Sequence, residues 1–217
     1  MPADYIPALR YQTLTPFYDV VTRLTTREGT VKQALLAQAD IQPGHNVLDI
    51  GCGTGTLTIA AQHHQPVAQI FGLDGDPAIL KIATNRRAHS DATTFTEALS
   101  YDLPFTTQSF DRVLCSLFFH HLQPDAKAAT LTEVHRILRP NGQLHIADWG
   151  AATGPITRAL FKPVQKLDGF SNTVDHVEGR LPRYLTQAGF EQIEIRRSFH
   201  TVFGVLSLFS ANGEHQA

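Results

Sequence analysis

"VLDIGCGTGTL", residues 47–57, decides how this chain folds: an apolar run interrupted by Asp49 opens onto three glycines, Gly51, Gly53 and Gly55, each separated by one small residue. An apolar run that ends in glycines is how a buried strand turns sharply into a helix, because glycine adopts backbone angles closed to other residues. The missing β-carbons also let backbone amides lie against a ligand. The helix start behind them adds partial positive charge, which suits a carboxylate or a phosphate equally. The dinucleotide fingerprint GxGxxG is not met, since Thr56 stands where its last glycine belongs, and no GK[ST] follows to complete a Walker loop.

On both sides of this turn the chain alternates between two periods. Upstream, Val20, Val21, Leu24, Val31, Leu35 and Leu36 recur at spacings near three and four, which predicts a helix over 15–39 opened by Thr15 and Pro16. Downstream, "LTIAAQHH" (57–64) reads as a helix, "AQIFGLD" (68–74) as a strand ending in an acid, and "DPAILKIATNRRAHS" (76–90) as a helix with an Asp-Pro start. The rhythm continues through "TTFTEAL" (93–99), "FDRVLCSLFF" (110–119), the helix "DAKAATLTEVHRILRP" (125–140) and "GQLHIADW" (142–149). Strands alternating with helices of this length predict an α/β fold, a parallel sheet with helices on both faces.

After Trp149 the rhythm changes. Residues 150–179 mix Gly, Pro, aromatic and polar residues without a strand and read as an inserted cap. "RLPRYLTQAGF" (180–190) is helix-like with Gly189 at its end, and "EQIEIRRSFHT" (191–201) and "VFGVLSLFSA" (202–211) are β-rich, with an antiparallel return near Phe203 and Gly204.

Composition narrows the function classes. A formal net charge of −2 over 217 residues provides no field to gather nucleic acid or an anionic membrane surface, so a small-molecule partner is expected. Only Cys52 and Cys115 are present, outside any CxxC spacing, which fits a reducing, cytoplasmic setting. The opening "MPADYIPALRYQTLTPFYD" lacks the basic-then-apolar pattern of a signal peptide, and no stretch has the roughly 18 apolar residues of a membrane helix. His63, His64 and the other histidines show no HExxH or Cys/His spacing, so no metal is expected.

Two acids narrow what the loop can hold. Asp49 precedes the first glycine by two positions, giving D-I-G-C-G-T-G, and Asp74 lies 21 positions beyond Gly53, near the distance at which nucleotide-binding folds place a carboxylate on ribose hydroxyls. With this pattern the chain resembles the class I S-adenosylmethionine-dependent methyltransferases. The resemblance extends over roughly residues 11–211, through "SYDLPFTTQSFDRVLCSLFFHHL" (100–122) and "LTEVHRILRPNGQLHIADW" (131–149). "LTPFYDVVTRLTTRE" (14–28) resembles the entry helix of the subgroup that includes the ubiquinone and menaquinone C-methyltransferases.

The resemblance implies a Rossmann-like, doubly wound seven-stranded sheet, mostly parallel with an antiparallel last strand. It implies one domain, comprising an N-terminal helical lid (1–40), a cofactor-binding core (41–149), an acceptor cap (150–180) and closing helix and strands (181–217). S-adenosylmethionine is the implied cofactor and S-adenosylhomocysteine the product. Its implied binding set is Tyr18, Arg27, Asp49, Gly51, Cys52, Gly53, Asp74, Gly75, Leu99, Ser100 and Ser116. The backbone of 51–53 would hold the methionyl part, Asp74 the ribose, and Leu99 with Ser100 the adenine, while Tyr18 and Arg27 would fold over the methionyl end.

Two positions depart from the family pattern. Leu99 replaces the Asp that usually takes the adenine amine, leaving that task to backbone groups, and "RPNG" replaces Pro-Gly-Gly, with Asn141 supplying the left-handed turn. For the chemistry, His120, His121 and Asp148 stand at the ends of the fourth and fifth strands, where open α/β folds bind ligands. Trp149 either lines the acceptor cavity or covers the sheet edge, and His176 in the cap either faces the acceptor or, the favoured reading, is an exposed loop residue. Ile156, Leu160, Phe161, Val164, Leu167 and Phe170 form a near-helical stripe that would wall an apolar acceptor pocket. The expected reaction is methyl transfer to a small hydrophobic or aromatic acceptor. Quinone-precursor or lipid C-methylation is the competing enzyme reading, and a non-catalytic S-adenosylmethionine-binding protein the competitor from another class. A nicotinamide dehydrogenase is disfavoured by Thr56. The segment "CSLFFHH" lacks the NPPF/Y-type motif of enzymes acting on adenine or glutamine amides.

Overall fold

The computed structural model describes residues 27–87 and 92–213. Helix α1 (Glu28–Ala39) leads into strand β1 (Asn46–Ile50), helix α2 (Thr56–His64), strand β2 (Gln69–Asp74), helix α3 (Pro77–Arg86) and strand β3 (Thr94–Glu97). Strand β4 (Phe110–Ser116) runs into a 3-10 turn, Phe119–His121, then helix α4 (Pro124–Ile137) and strand β5 (Leu138–Trp149). Helices α5 (Pro155–Asp168), α6 (Phe170–Val177) and α7 (Leu181–Gln187) precede strands β6 (Phe190–Thr201) and β7 (Gly204–Gly213).

The seven strands form one sheet in the order β3-β2-β1-β4-β5-β7-β6. The pairings from β3 to β5 are parallel, and β7 runs antiparallel to both of its neighbours. The strand order therefore reverses at β1 and β4, the place where ligands bind across the carboxyl edge of such sheets.

Alternation along each strand sends side chains into two cores. Leu48 and Ile50 of β1, Val113 and Cys115 of β4, and Leu144 and Ile146 of β5 join Leu131, Val134, Leu181 and Leu185 on one face. Val47, Leu114, Ala147 and Trp149 face the other way, onto Val31, Leu35, Leu57 and Phe161. A fully buried side chain of this kind contributes about 1.5–3 kcal/mol, which explains why strands covered on both faces read as continuous apolar runs.

Local signals fix the ends of the helices. Asp76 caps α3, accepting from the Ala78 amide at 2.9 Å, with Pro77 in the first turn. Gly189, at φ 92°, follows α7, and Asn141, at φ 64°, makes the left-handed turn expected of "RPNG". The helix expected over 15–39 begins at Glu28 within the described residues, because Arg27 adopts φ 56° and breaks the helical path there. Val20, Val21 and Leu24 lie outside the described residues.

The 150–179 segment is helical, as α5 and α6, and its two ends meet at a narrow neck. The Ala152 amide donates to the Val177 carbonyl at 3.1 Å, and at Gly179 (φ 67°) a β-carbon would come within 2.9 Å of Ala151 Cβ. On one side Phe161 packs edge-on against Trp149, 5.2 Å between centroids. On the other, the buried Lys127 of α4 donates to the Asn172 carbonyl at 2.5 Å and pairs with Asp175 at 3.3 Å, pinning α6. The apolar stripe splits: Phe161 and Val164 are buried, whereas Ile156 (74% exposed), Leu167 (73%) and Phe170 (62%) face outward, so the stripe as a whole does not wall a pocket. Fourteen residues of helix turn through all directions, and α5 packs only part of its surface, against β7 and α6. Among the described residues no helix is long and apolar enough to cross a membrane.

Candidate active site

The glycine loop joins β1 to α2 with Gly51, Gly53 and Gly55 all at positive φ (65°, 53° and 74°). The three do different work. A β-carbon on Gly51 would meet the Phe118 ring at 2.3 Å, and one on Gly55 would meet Ala83 Cβ and the Phe95 ring at 2.9 Å, so these two are required by packing. At Gly53 nothing lies within 4 Å of that direction, which marks the open side of the turn. The loop is held from behind by the Cys52 amide on the Leu73 carbonyl (3.0 Å) and by the Gly55 amide on the Cys52 carbonyl (2.9 Å). Gly55 offers no side-chain cap to α2, leaving the amides of its first turn for an anion.

Asp74 closes this half of the site. Its carboxylate accepts the Gly53 amide at 2.9 Å and the Asp76 amide at 3.0 Å, so the acid at the end of β2 and the open glycine belong to one cradle. Burial raises its pKa, and those amide donors act against the rise. Backbone amides with an adjacent fixed carboxylate are a donor set that fits the methionyl and ribose groups of S-adenosylmethionine. Gly75, half-buried, follows immediately.

Other expected binding residues sit differently. Asp49 is 1% exposed and lies beneath the loop, where it accepts from Thr58 Oγ1 at 2.7 Å; burial lifts its pKa to about 7. It orders the loop from below and does not line the open side. Cys52 is buried, with its thiol pKa pushed far up by burial and the nearby Asp49. Ser100 turns its hydroxyl to Thr130 (2.8 Å), and the Leu99 carbonyl takes the Asp102 amide at 3.1 Å, so the Ser100 side chain is directed into α4 instead of the cleft. Ser116 ends β4, half-buried. Arg27 is exposed at the start of α1, and Tyr18 lies outside the described residues. Lys32, absent from the expected set, binds Thr56 Oγ1 and Glu28 across the loop. Only its i,i+4 relation to Glu28 is visible in the sequence.

Along the carboxyl edge, His120, His121 and Asp148 do come together. Asp148, fully buried, accepts from His120 Nδ1 at 2.7 Å and from the Trp149 amide at 2.7 Å. Because a carboxylate only accepts, this bond puts a proton on His120 Nδ1, so that in the neutral ring Nε2 carries the lone pair. Burial opposes charge on His120, but the Asp148 carboxylate outweighs it and raises the pKa. Burial would raise Asp148 too, yet His120 and His176 hold it well below the usual carboxylate range.

Sequence reasoning misses two partners in this cluster. Asp168, the last residue of α5, lies 3.7 Å from His120 Nε2 and 3.5 Å from His121 Nδ1. His176, expected on an exposed loop, is 2% exposed on α6, with Nδ1 bonded to the Trp149 carbonyl at 2.9 Å and its ring 6.1 Å from His120. Trp149 itself is buried beneath the cap, covering the sheet edge. His120 and Asp168 are 48 positions apart, so no local spacing announces their meeting.

Comparison with known proteins bears on the fold and the reaction class. Residues 47–142 match a family described as a methyltransferase domain. An uncharacterized methyltransferase of Synechocystis is 33% identical over 135 residues, 60% of this chain and 61% of that protein. The demethylmenaquinone methyltransferase of Lactiplantibacillus plantarum is 27% identical over 212 residues, covering 86% of this chain and 88% of its own. Among solved structures, a chain from the Haloferax volcanii complex of the Trm112 methyltransferase activator with a methyltransferase superposes with a TM-score of 0.71 at 21% identity, over 95% of this chain and 98% of that one. Glycine loop, strand order and matched sequence together support a class I S-adenosylmethionine-dependent methyltransferase that resembles the ubiquinone and menaquinone C-methyltransferases.

Proposed function

We propose that the chain transfers the methyl group of S-adenosylmethionine to a small, hydrophobic or aromatic organic acceptor, releasing S-adenosylhomocysteine. The observation that carries this reading is the cradle formed by the Gly53 amide and the Asp74 carboxylate, 2.9 Å apart on the open side of the loop. Bound there, S-adenosylmethionine would supply an activated methyl group, the electron pair of the broken carbon–sulfur bond staying on S-adenosylhomocysteine and a neutral acceptor losing its proton.

The chain's own part is to bind, orient and exclude water. The loop amides and Asp74 fix the donor. Phe118, whose ring rests on Gly51, stands two residues from His120, so the donor loop and the imidazole are neighbours through one segment. His120 Nε2, turned toward Asp168, is the polar group that this edge offers an acceptor, with the buried Trp149 and Phe161 packed against each other behind it.

Calorimetric titration with S-adenosylmethionine and with NAD, followed by isotopic methyl transfer to candidate acceptors, tests the proposal. Saturable binding of the first ligand alone and acceptor-dependent product are expected. Binding without product for any acceptor would favour a non-catalytic role, and binding of NAD alone would end the methyltransferase reading. The Lactiplantibacillus relative's name favours a second, narrower reading, C-methylation of a quinone precursor. Product from a demethylquinone, and none from amines or thiols, would support it.

A further inference from the structure

We propose that His120, His121 and Asp168 form a binding site for a divalent first-row transition-metal ion where the cap meets the sheet edge. Their ligand atoms all lie within 4.8 Å of one another. The individual separations, 3.7 Å from His120 Nε2 to Asp168 Oδ2 and 3.5 Å from His121 Nδ1 to Asp168 Oδ1, are too long for hydrogen bonds. They suit an ion between them: ligands each about 2.1 Å from one tetrahedral centre lie roughly 3.4 Å apart.

The surroundings point the same way. Metal-bound histidines give their other N–H to a carboxylate or carbonyl, which fixes the ring and the tautomer. His120 does so to the buried Asp148 at 2.7 Å, and this aims its free nitrogen at Asp168. Asp148 is itself immobilised by the Trp149 amide. Asp148 and Asp168 bring two carboxylates to the cluster, and the nearby cation Lys127 is committed to Asp175 and the Asn172 carbonyl. A divalent ion balances that charge.

Two imidazoles and one carboxylate select zinc, iron(II), cobalt or nickel over magnesium and calcium, and three protein ligands leave open positions. His121 is a third exposed, so the site is reached from its side. Open positions take oxygen donors. The acceptor is therefore an apolar ring carrying a hydroxyl or carbonyl, an extension that rests on the methyltransferase reading, whereas the metal site does not.

The test is titration of tag-free, chelator-treated protein with cobalt(II), followed by visible absorbance, and with zinc(II) and magnesium(II) by calorimetry. One equivalent of cobalt with a low-symmetry visible band displaced by zinc is expected, and no heat from magnesium. Asp168→Asn and His121→Gln should each weaken zinc by about 10–100-fold, Asp168→Glu should recover part of the loss, and the exposed His64→Gln should change nothing. Absence of saturable binding would leave only an ion pair between His120 and Asp168 and overturn the proposal. So would zinc binding that Asp168→Asn and His121→Gln leave intact, since the ion would then sit elsewhere. Thermal unfolding of each variant, and its S-adenosylmethionine affinity without metal, separates misfolding and a misread donor site from a failed metal site.

Discussion

The two halves of the cleft are made of different atoms. The proposed donor half is backbone: three glycines at positive φ, the amides between them, and one carboxylate 2.9 Å from one of those amides. The proposed acceptor half is side chain, drawn from the turn after β4, the end of β5 and both cap helices, with Asp148, His120, Asp168, His121 and His176 in one cluster. A backbone site is specified where the chain turns and tolerates little change in sequence. A side-chain site is specified by what the fold brings together, and can vary while the first stays fixed.

The comparison can be tested by damaging one half and reading the other. The largest expected effect is on the acceptor side. Lys127→Ala removes the buried ammonium that pins α6, and should lower unfolding stability by about 3–5 kcal/mol in urea titrations. Folded protein should still bind S-adenosylmethionine within about twofold of the parent; a large loss of affinity would show that the halves are not separable.

Next comes the donor loop. Gly55→Ala forces a β-carbon onto Ala83 and Phe95 at a left-handed position, and about 2–3 kcal/mol of stability should be lost. Asp74→Ala should weaken S-adenosylmethionine by roughly 10–30-fold in calorimetry, the worth of a charge-assisted pair of hydrogen bonds. Unchanged zinc affinity in that variant would sharpen the division.

The smallest effect concerns pH. Asp49 is raised by burial from an ordinary carboxylate value to about 7 in the folded chain. The folded state thus holds a proton that the unfolded state has released, and Asp49 contributes stability that is full below about pH 4 and lost as pH rises through 7. Asp49→Asn should flatten that decline between pH 5 and 8 in urea titrations. A decline of the same slope in the variant would assign it to other groups.

The same division separates what the amino-acid sequence reveals of the fold and the site from what it hides. Gly51, Gly53, Gly55 and Asp74 stand close in sequence and carry their geometry in their residue types, so the loop, the strand order and the meeting of Asp74 with Gly53 are legible. His120 and Asp148 are legible too, because each ends a strand at the edge where such folds bind ligands. Asp168 and His176 are not, since only the packing of α5 and α6 onto the sheet determines what they meet. The exposure of Ile156 and Leu167 is hidden for the same reason: a helical stripe says which residues share a face, and not which face is covered.

The neck of the cap carries a consequence for descent and engineering. The chain leaves the sheet after Trp149 and is drawn back at Gly179 through one pinched crossing, where Ala152 bonds Val177 and Ala151 abuts the glycine. A segment whose entry and exit coincide can be replaced as a cassette without rethreading the sheet. If the cap meets the acceptor as proposed, a graft cut at 151 and 179 should change which acceptors are methylated and leave S-adenosylmethionine affinity unchanged.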